Sequence, residues 1–216
     1  MEGVSLSNAP HLEAHFADDE QQRESAKLGM WIFLVTEILL FGGLFVAYGI
    51  FRAWYPDMFY NAHKFLDVSL GTLNTVVLIT SSLTMALAIR RMQVNKKSET
   101  IFFLVMTLIF ALVFLVVKYF EYRHKIELGQ LPGSMYSFTG IGGSNPHIFF
   151  GIYFAMTGLH AIHVIIGMIV ISWALGRTIK NEFSEYYYTP LEMTGLYWHL
   201  VDMIWIFLFP LLYLIG

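Results

Sequence analysis

Apolar residues in this chain come in long unbroken runs rather than in the short periodic pattern of a water-facing helix or strand. About 20 consecutive apolar residues, wound as a helix, cross the ~30 Å hydrocarbon core of a bilayer. Five runs reach that length, and they predict helices over about 28–53, 68–90, 100–122, 147–176 and 195–215. Barrel strands are about ten residues long and alternate in polarity, so continuous runs favour helices. The expectation is an all-α fold, a polytopic membrane bundle of five transmembrane helices over residues 28–216. Residues 1–27 are expected to form an acidic N-terminal tail, a mobile extension or a surface arm.

The segments between the runs read as loops: "WYPDMFYNAHKF", "RRMQVNKKSE", the Gly/Ser-rich "ELGQLPGSMYSFTGIGGSNPH" and "GRTIKNEFSEYYYTPLE". The third ends in Ser144-Asn145-Pro146, a capping side chain before a proline at a first helical turn. Five spans put the N-terminus and the second and fourth loops on one side. That side carries Arg23, Lys27, Arg90, Arg91, Lys96, Lys97, Arg177 and Lys180, against Arg52, Lys64, Lys118, Arg123 and Lys125 on the other. Positive charge stays inside, so the N-terminus is expected in the cytoplasm and the C-terminus outside.

Composition strengthens this picture. The chain is 56% hydrophobic and only 13% charged, with a mean hydropathy of +0.59, whereas a soluble domain is about 25% charged. A net charge of −3 gives no reason to expect a nucleic-acid partner. With no cysteine there is no disulfide, no thiol catalysis and no Cys-ligated zinc or iron–sulfur centre. The first 25 residues lack the basic and apolar regions of a cleavable signal, so the first span is expected to stay. P-loop, Gly-x-Ser-x-Gly and His-Glu-x-x-His patterns are missing.

The polar residues inside the runs are the candidate chemistry. Glu37 lies about 14 Å past Leu28 along a helix, near the bilayer midplane. Its own helical face offers Met30, Phe33, Phe41, Leu44 and Tyr48, none of them a cation. It is either an acid bonded across to another helix or a proton-handling group. His160 and His163 are three apart and share a face, as do His199 and Asp202. Two histidines and an acid open a metal reading, and His160 with His199 a bis-histidine haem reading. The plainer alternative is that these groups satisfy one another between helices or meet lipid headgroups. Lys118, Glu121 and His124 are spaced as an interfacial charge cluster, with Tyr119 and Tyr122 in the aromatic belt. Gly71, Thr75 and Ser82, with Asn74 nearby, make a close-packing surface. Arg177, at the inner end of the fourth run, is placed to meet a lipid phosphate.

Four blocks in this order resemble subunit III of the haem–copper terminal oxidases, the cytochrome c oxidase subunit 3 family. They are "GMWIFLVTEILLFGGLFVAY" with "LNTVVLITSSLTMALA", "KYFEYRHKI", "FFGIYFAMTGLHAIHVIIG" and "YWHLVDMIWIFLFPLLYLIG". The resemblance places Glu37 at the family's buried glutamate, Glu121 at a second one, and His160, His163, Trp198, His199, Asp202 and Trp205 at family positions. It implies the five-helix bacterial form of a subunit with no catalytic centre. Haem and copper would lie in partner subunits, and this chain would hold no cofactor beyond bound phospholipid. It would pack directly on subunit I, near subunit II and, in some complexes, subunit IV, in the bacterial plasma membrane. Its role would be to support subunit I stability, lipid binding and proton uptake in an aerobic, proton-pumping oxidase. Under that resemblance Glu37 is the proton-handling or buried acid. His160, His163, Arg177, Trp198, His199, Asp202 and Glu121 are lipid-binding or interhelical polar groups, and none is a metal ligand.

Three other functions stay open at the level of sequence. The chain would also suit a quinol oxidase or a nitric-oxide-reductase-associated homologue. A stand-alone transporter or proton channel would need helices broken near midspan, and Pro210 is the one proline in the runs that could break a helix. A haem-binding anchor would need the histidines to converge.

Overall fold

The computed structural model describes residues 12, 13, 15–140 and 145–215. Five helices are long and apolar enough to cross a membrane. They are α1 (Asp19–Trp54), α3 (Val68–Gln93), α4 (Lys97–Glu127), α5 (His147–Ile179) and α6 (Thr189–Phe209), with a short α2 (Pro56–Ala62) in the first connection. Helix α6 is the hub and touches α1, α3 and α5, while α4 closes the far side against α3 and α5. The core is aromatic. Trp198, Trp205, Tyr153, Phe114 and Phe149 are buried where α4, α5 and α6 meet.

Helix α1 starts at Asp19, well before the first apolar run at Leu28. The Asp18 carboxylate accepts from the Gln21 amide at 2.7 Å and so caps the helix before any lipid-facing residue arrives. At 36 residues, α1 is ~54 Å long, and its first turns must overhang a hydrocarbon core of ~30 Å. Part of the expected tail is therefore helix; residues 1–11 and 14, His11 among them, lie outside the described residues. The connection after α1 is also more ordered than a loop. Pro56 at its first turn starts α2, and a 3₁₀ turn (His63–Phe65) follows.

The expected cap on α5 does not form. Asn145 has φ of +63°, and its side chain caps nothing; Pro146 itself precedes the first helical residue. Ser144 lies outside the described residues. Pro210, which has no amide hydrogen to donate, ends α6 and opens one π-helical turn (Pro210–Leu214) instead of a sharp kink.

Small and polar residues of α3 form the close-packing surface that their spacing predicts. A methyl added to Gly71 would stand 2.7 Å from the Phe209 ring. The Trp205 indole donates to Thr75 at 3.1 Å, the Trp198 indole donates to Ser81 at 3.1 Å, and Ser82 lies 2.7 Å from His199 Nδ1. These pairs fix the rotation and height of α3 against α6, which apolar packing alone leaves loosely defined in lipid.

Candidate functional site

Helix α1 lies against α5 and α6 and is otherwise bare. Only 11% of its most apolar stretch is covered by the rest of the chain. Its one midspan acid points back into the bundle, with Glu37 Oε2 2.8 Å from His163 Nε2 on α5. The other ring nitrogen, Nδ1, lies 2.8 Å from the Leu159 carbonyl. A carbonyl can only accept, so Nδ1 carries a hydrogen. Nε2 then either accepts a proton from a neutral Glu37 or donates one to the carboxylate. The pair can hold its proton on either partner without changing net charge. Phe41 stands edge-on to the imidazole at 5.2 Å, and the Tyr197 hydroxyl donates to the His163 carbonyl at 3.1 Å. The pair sits at the rim of the bundle, with the His163 and Glu37 side chains 10% and 15% exposed.

The three-residue offset sends His160 elsewhere. Its ring is buried edge-on to Phe114 at 5.5 Å and beside Trp205 at 5.3 Å. Neither of its nitrogens has a hydrogen-bond partner among the described residues. His199 turns to Ser82 on α3. The three membrane histidines therefore face three different neighbourhoods. Among the described residues no three His, Cys, Asp or Glu side chains gather as a metal site.

Lys118 and Glu121 correct the expectation of an interfacial cluster. Their side chains are 5% and 3% exposed and pair at 2.9 Å inside the bundle. Lys118 also donates to the Tyr213 hydroxyl at 2.6 Å and lies 4.6 Å over the Trp205 ring. Glu121 accepts from the Tyr153 and Tyr213 hydroxyls at 2.8 and 2.6 Å. A buried charge survives only when paired and hydrogen-bonded on its remaining sites, and the two tyrosines supply those bonds. Lys125, one turn on, is also buried and donates to the Phe65 carbonyl at 3.3 Å. Tyr122 is not a belt residue either, because its hydroxyl bonds Thr157 at 2.5 Å, while Tyr119 does face outward.

Trp198 is buried, with its ring against Gly167, where a methyl would stand 2.6 Å away. Arg177 pairs with Glu182 at 2.5 Å and lies over Trp173 and Phe183 at 5.0 and 5.1 Å. Outside the spans, the Tyr136 hydroxyl has its pKa raised by burial.

The family model described as Cytochrome c oxidase subunit III matches residues 12–216. This chain belongs to the cytochrome c oxidase subunit III family. Known members differ in the enzyme they serve. A "Cytochrome c oxidase subunit 3" of Thermostichus vulcanus is 31% identical over 196 residues, covering 87% of this chain and 86% of its own length. A "Cytochrome bo(3) ubiquinol oxidase subunit 3" of Pseudomonas putida is 26% identical over 189 residues, with 88% and 85% covered. A "Heme-copper oxidase subunit I+III" of Aeropyrum pernix is 28% identical over 204 residues; the match covers 89% of this chain but 23% of that longer protein. Family membership makes this subunit III chain a multi-pass membrane component of the haem–copper oxidases.

Sequence reasoning singled out Glu37, His163, His199 and Asp202 but missed the tyrosines. Tyr213 carries a hydroxyl at the end of an apolar run, just past Pro210, and that oddity was the available signal. Tyr153 had no comparable signal, being one more aromatic on an apolar stripe.

Proposed function

We propose that this chain is the non-redox subunit III of a cytochrome c oxidase in a bacterial plasma membrane, with its N-terminus in the cytoplasm. It seats against subunit I, near subunits II and IV, together with phospholipid. There it stabilises the catalytic subunit and helps protons reach it. The observation that carries this reading is the Glu37–His163 pair. It holds a mobile proton at mid-depth, at the rim of the bundle, on the helix that the rest of the chain covers least. Such a group serves a neighbour rather than a site of its own. The fused subunit I+III of Aeropyrum pernix supports subunit I as that neighbour.

The test is Glu37→Gln in the assembled oxidase. Assembly should persist, with a modest loss of proton uptake or turnover and faster inactivation during turnover. Wild-type rates together with wild-type durability would defeat the proton role. A quinol oxidase is the second reading, favoured by relatives of similar identity named for ubiquinol and quinol oxidases. Identifying the co-purifying subunit II, with or without a dicopper site, separates the two donors.

A further inference from the structure

Helix α6 shows an uncovered ridge between α1 and α3, formed by Met203, Ile206 and Phe207, which are 53%, 45% and 60% exposed. A groove runs along each side of it. The groove toward α1, about 400 Å³, is walled by Ile38, Gly42 and Phe45 and is apolar throughout. The groove toward α3, about 420 Å³, has Ile79, Leu83 and Ile206 for walls and Ser82, His199 and Asp202 beneath them. Met203 borders both.

The second groove contains a group that lipid cannot satisfy. Asp202 is 2% exposed, and neither carboxyl oxygen makes a full hydrogen bond among the described residues. Ser82 is near enough to act on it electrostatically, but the Ser82 hydroxyl lies in hydrogen-bond contact with His199. Ser82 and His199 stand close to the middles of α3 and α6, so the carboxyl lies deep in hydrocarbon. Acyl chains offer no donor there, and an unmet polar group at that depth costs several kcal/mol by order of magnitude. On the far side of the ridge, a methyl added to Gly42 would meet nothing within this chain. The missing side chain serves no internal contact, and glycines in membrane helices commonly admit another helix.

We propose that the α1–α6–α3 face seats a transmembrane helix of the neighbouring oxidase subunit, and that this helix presents a hydrogen-bond donor to Asp202. The inference rests on reading this chain as an oxidase subunit. A helix is the occupant because it matches all of the features at once. Its apolar side chains fit two parallel grooves, its backbone can approach Gly42, and one Ser, Thr, Asn, Gln or His supplies the donor. A single acyl chain fills a groove but leaves Asp202 unmet. A small ring compound meets Asp202 but leaves the ridge and the groove toward α1 uncovered.

The chain has no cysteine, so single cysteines report cleanly in the intact complex purified in mild detergent. Met203→Cys and Leu83→Cys sit on the proposed face, and Leu112→Cys, on the exposed side of α4, is the reference. Each is tagged with a benzophenone maleimide before assembly, photolysed, and its adduct mapped by mass spectrometry. Adducts from Met203→Cys and Leu83→Cys on a transmembrane segment of the neighbouring subunit support the proposal. Asp202→Leu should then weaken retention of that subunit while Asp202→Asn keeps it. Adducts on lipid or a quinone alone, with the oxidase core still bound, overturn the proposal and leave the subunit reading intact. Loss of any oxidase core from the preparation overturns both.

Discussion

The Tyr48 hydroxyl on the first helix donates to the Leu211 carbonyl at 2.8 Å, joining residues 163 apart in sequence. Arg52, one turn on, donates to the Ile215 carbonyl at 3.2 Å. The two contacts tie the outer end of α1 to the π-helical turn after α6. Tyr48→Phe keeps the buried ring and removes the bond, so stability should fall by ~0.5–1.5 kcal/mol. Thermal unfolding of the detergent-solubilised chain measures it, and an unchanged midpoint would show that the contact contributes nothing.

The Lys118–Glu121 pair makes a sharper demand. Removing one partner strands the other charge in the core, and Lys118→Met or Glu121→Leu alone should cost about 3–5 kcal/mol. The double variant removes both charges and should recover most of that loss. A double-mutant cycle of denaturant midpoints decides the matter. Additive losses would mean that the two side chains do not act as a pair.

Tyr213→Phe removes a hydroxyl that donates to Glu121 and accepts from Lys118. It should destabilise by ~1–3 kcal/mol, the cost of under-satisfied buried polar groups. The same change at Tyr119, which points outward, should be close to neutral in the same unfolding assay.

His163→Ala should leave Glu37 without its cross-helix partner and change the environment of its carboxyl group. Infrared difference spectra of wild type and variant should display a shifted Glu37 carboxyl or carboxylate band, assigned by its loss in Glu37→Gln. An unmoved band would separate the two residues.

Gly167 lies where a methyl would stand 2.6 Å from the Trp198 ring. Gly167→Ala should force α5 and α6 apart and cost ~1–3 kcal/mol through overpacking. Gly43, where an added methyl meets nothing within this chain, is the control for the isolated protein.

The spans were legible because a bilayer demands a fixed length of apolar helix, and that demand is written residue by residue. The packing stripe of Gly71, Thr75 and Ser82 was legible for a similar reason, since small and polar side chains have one main use between membrane helices. Partners were not legible. Glu37 finds His163 126 residues later, and Lys118 finds Tyr213 95 residues later. Such pairings follow from how five helices assemble, not from any local period. Burial of Lys118 was hidden for another reason. A lysine near the end of an apolar run ordinarily reaches to the headgroups, and only the acid and the phenols that surround it make the inward orientation possible. The early start of α1 hung on the Asp18 cap, a short-range signal outside the apolar pattern.

Helix α1 is pinned rather than embedded. Three polar fasteners, at Glu37, Tyr48 and Arg52, hold a rod whose remaining sides have no neighbour in the chain. The other four spans form a self-contained block. Harsh solubilisation should therefore unhinge this rod first, so a preparation can keep its far-ultraviolet signal while losing the one element that bears its midspan acid.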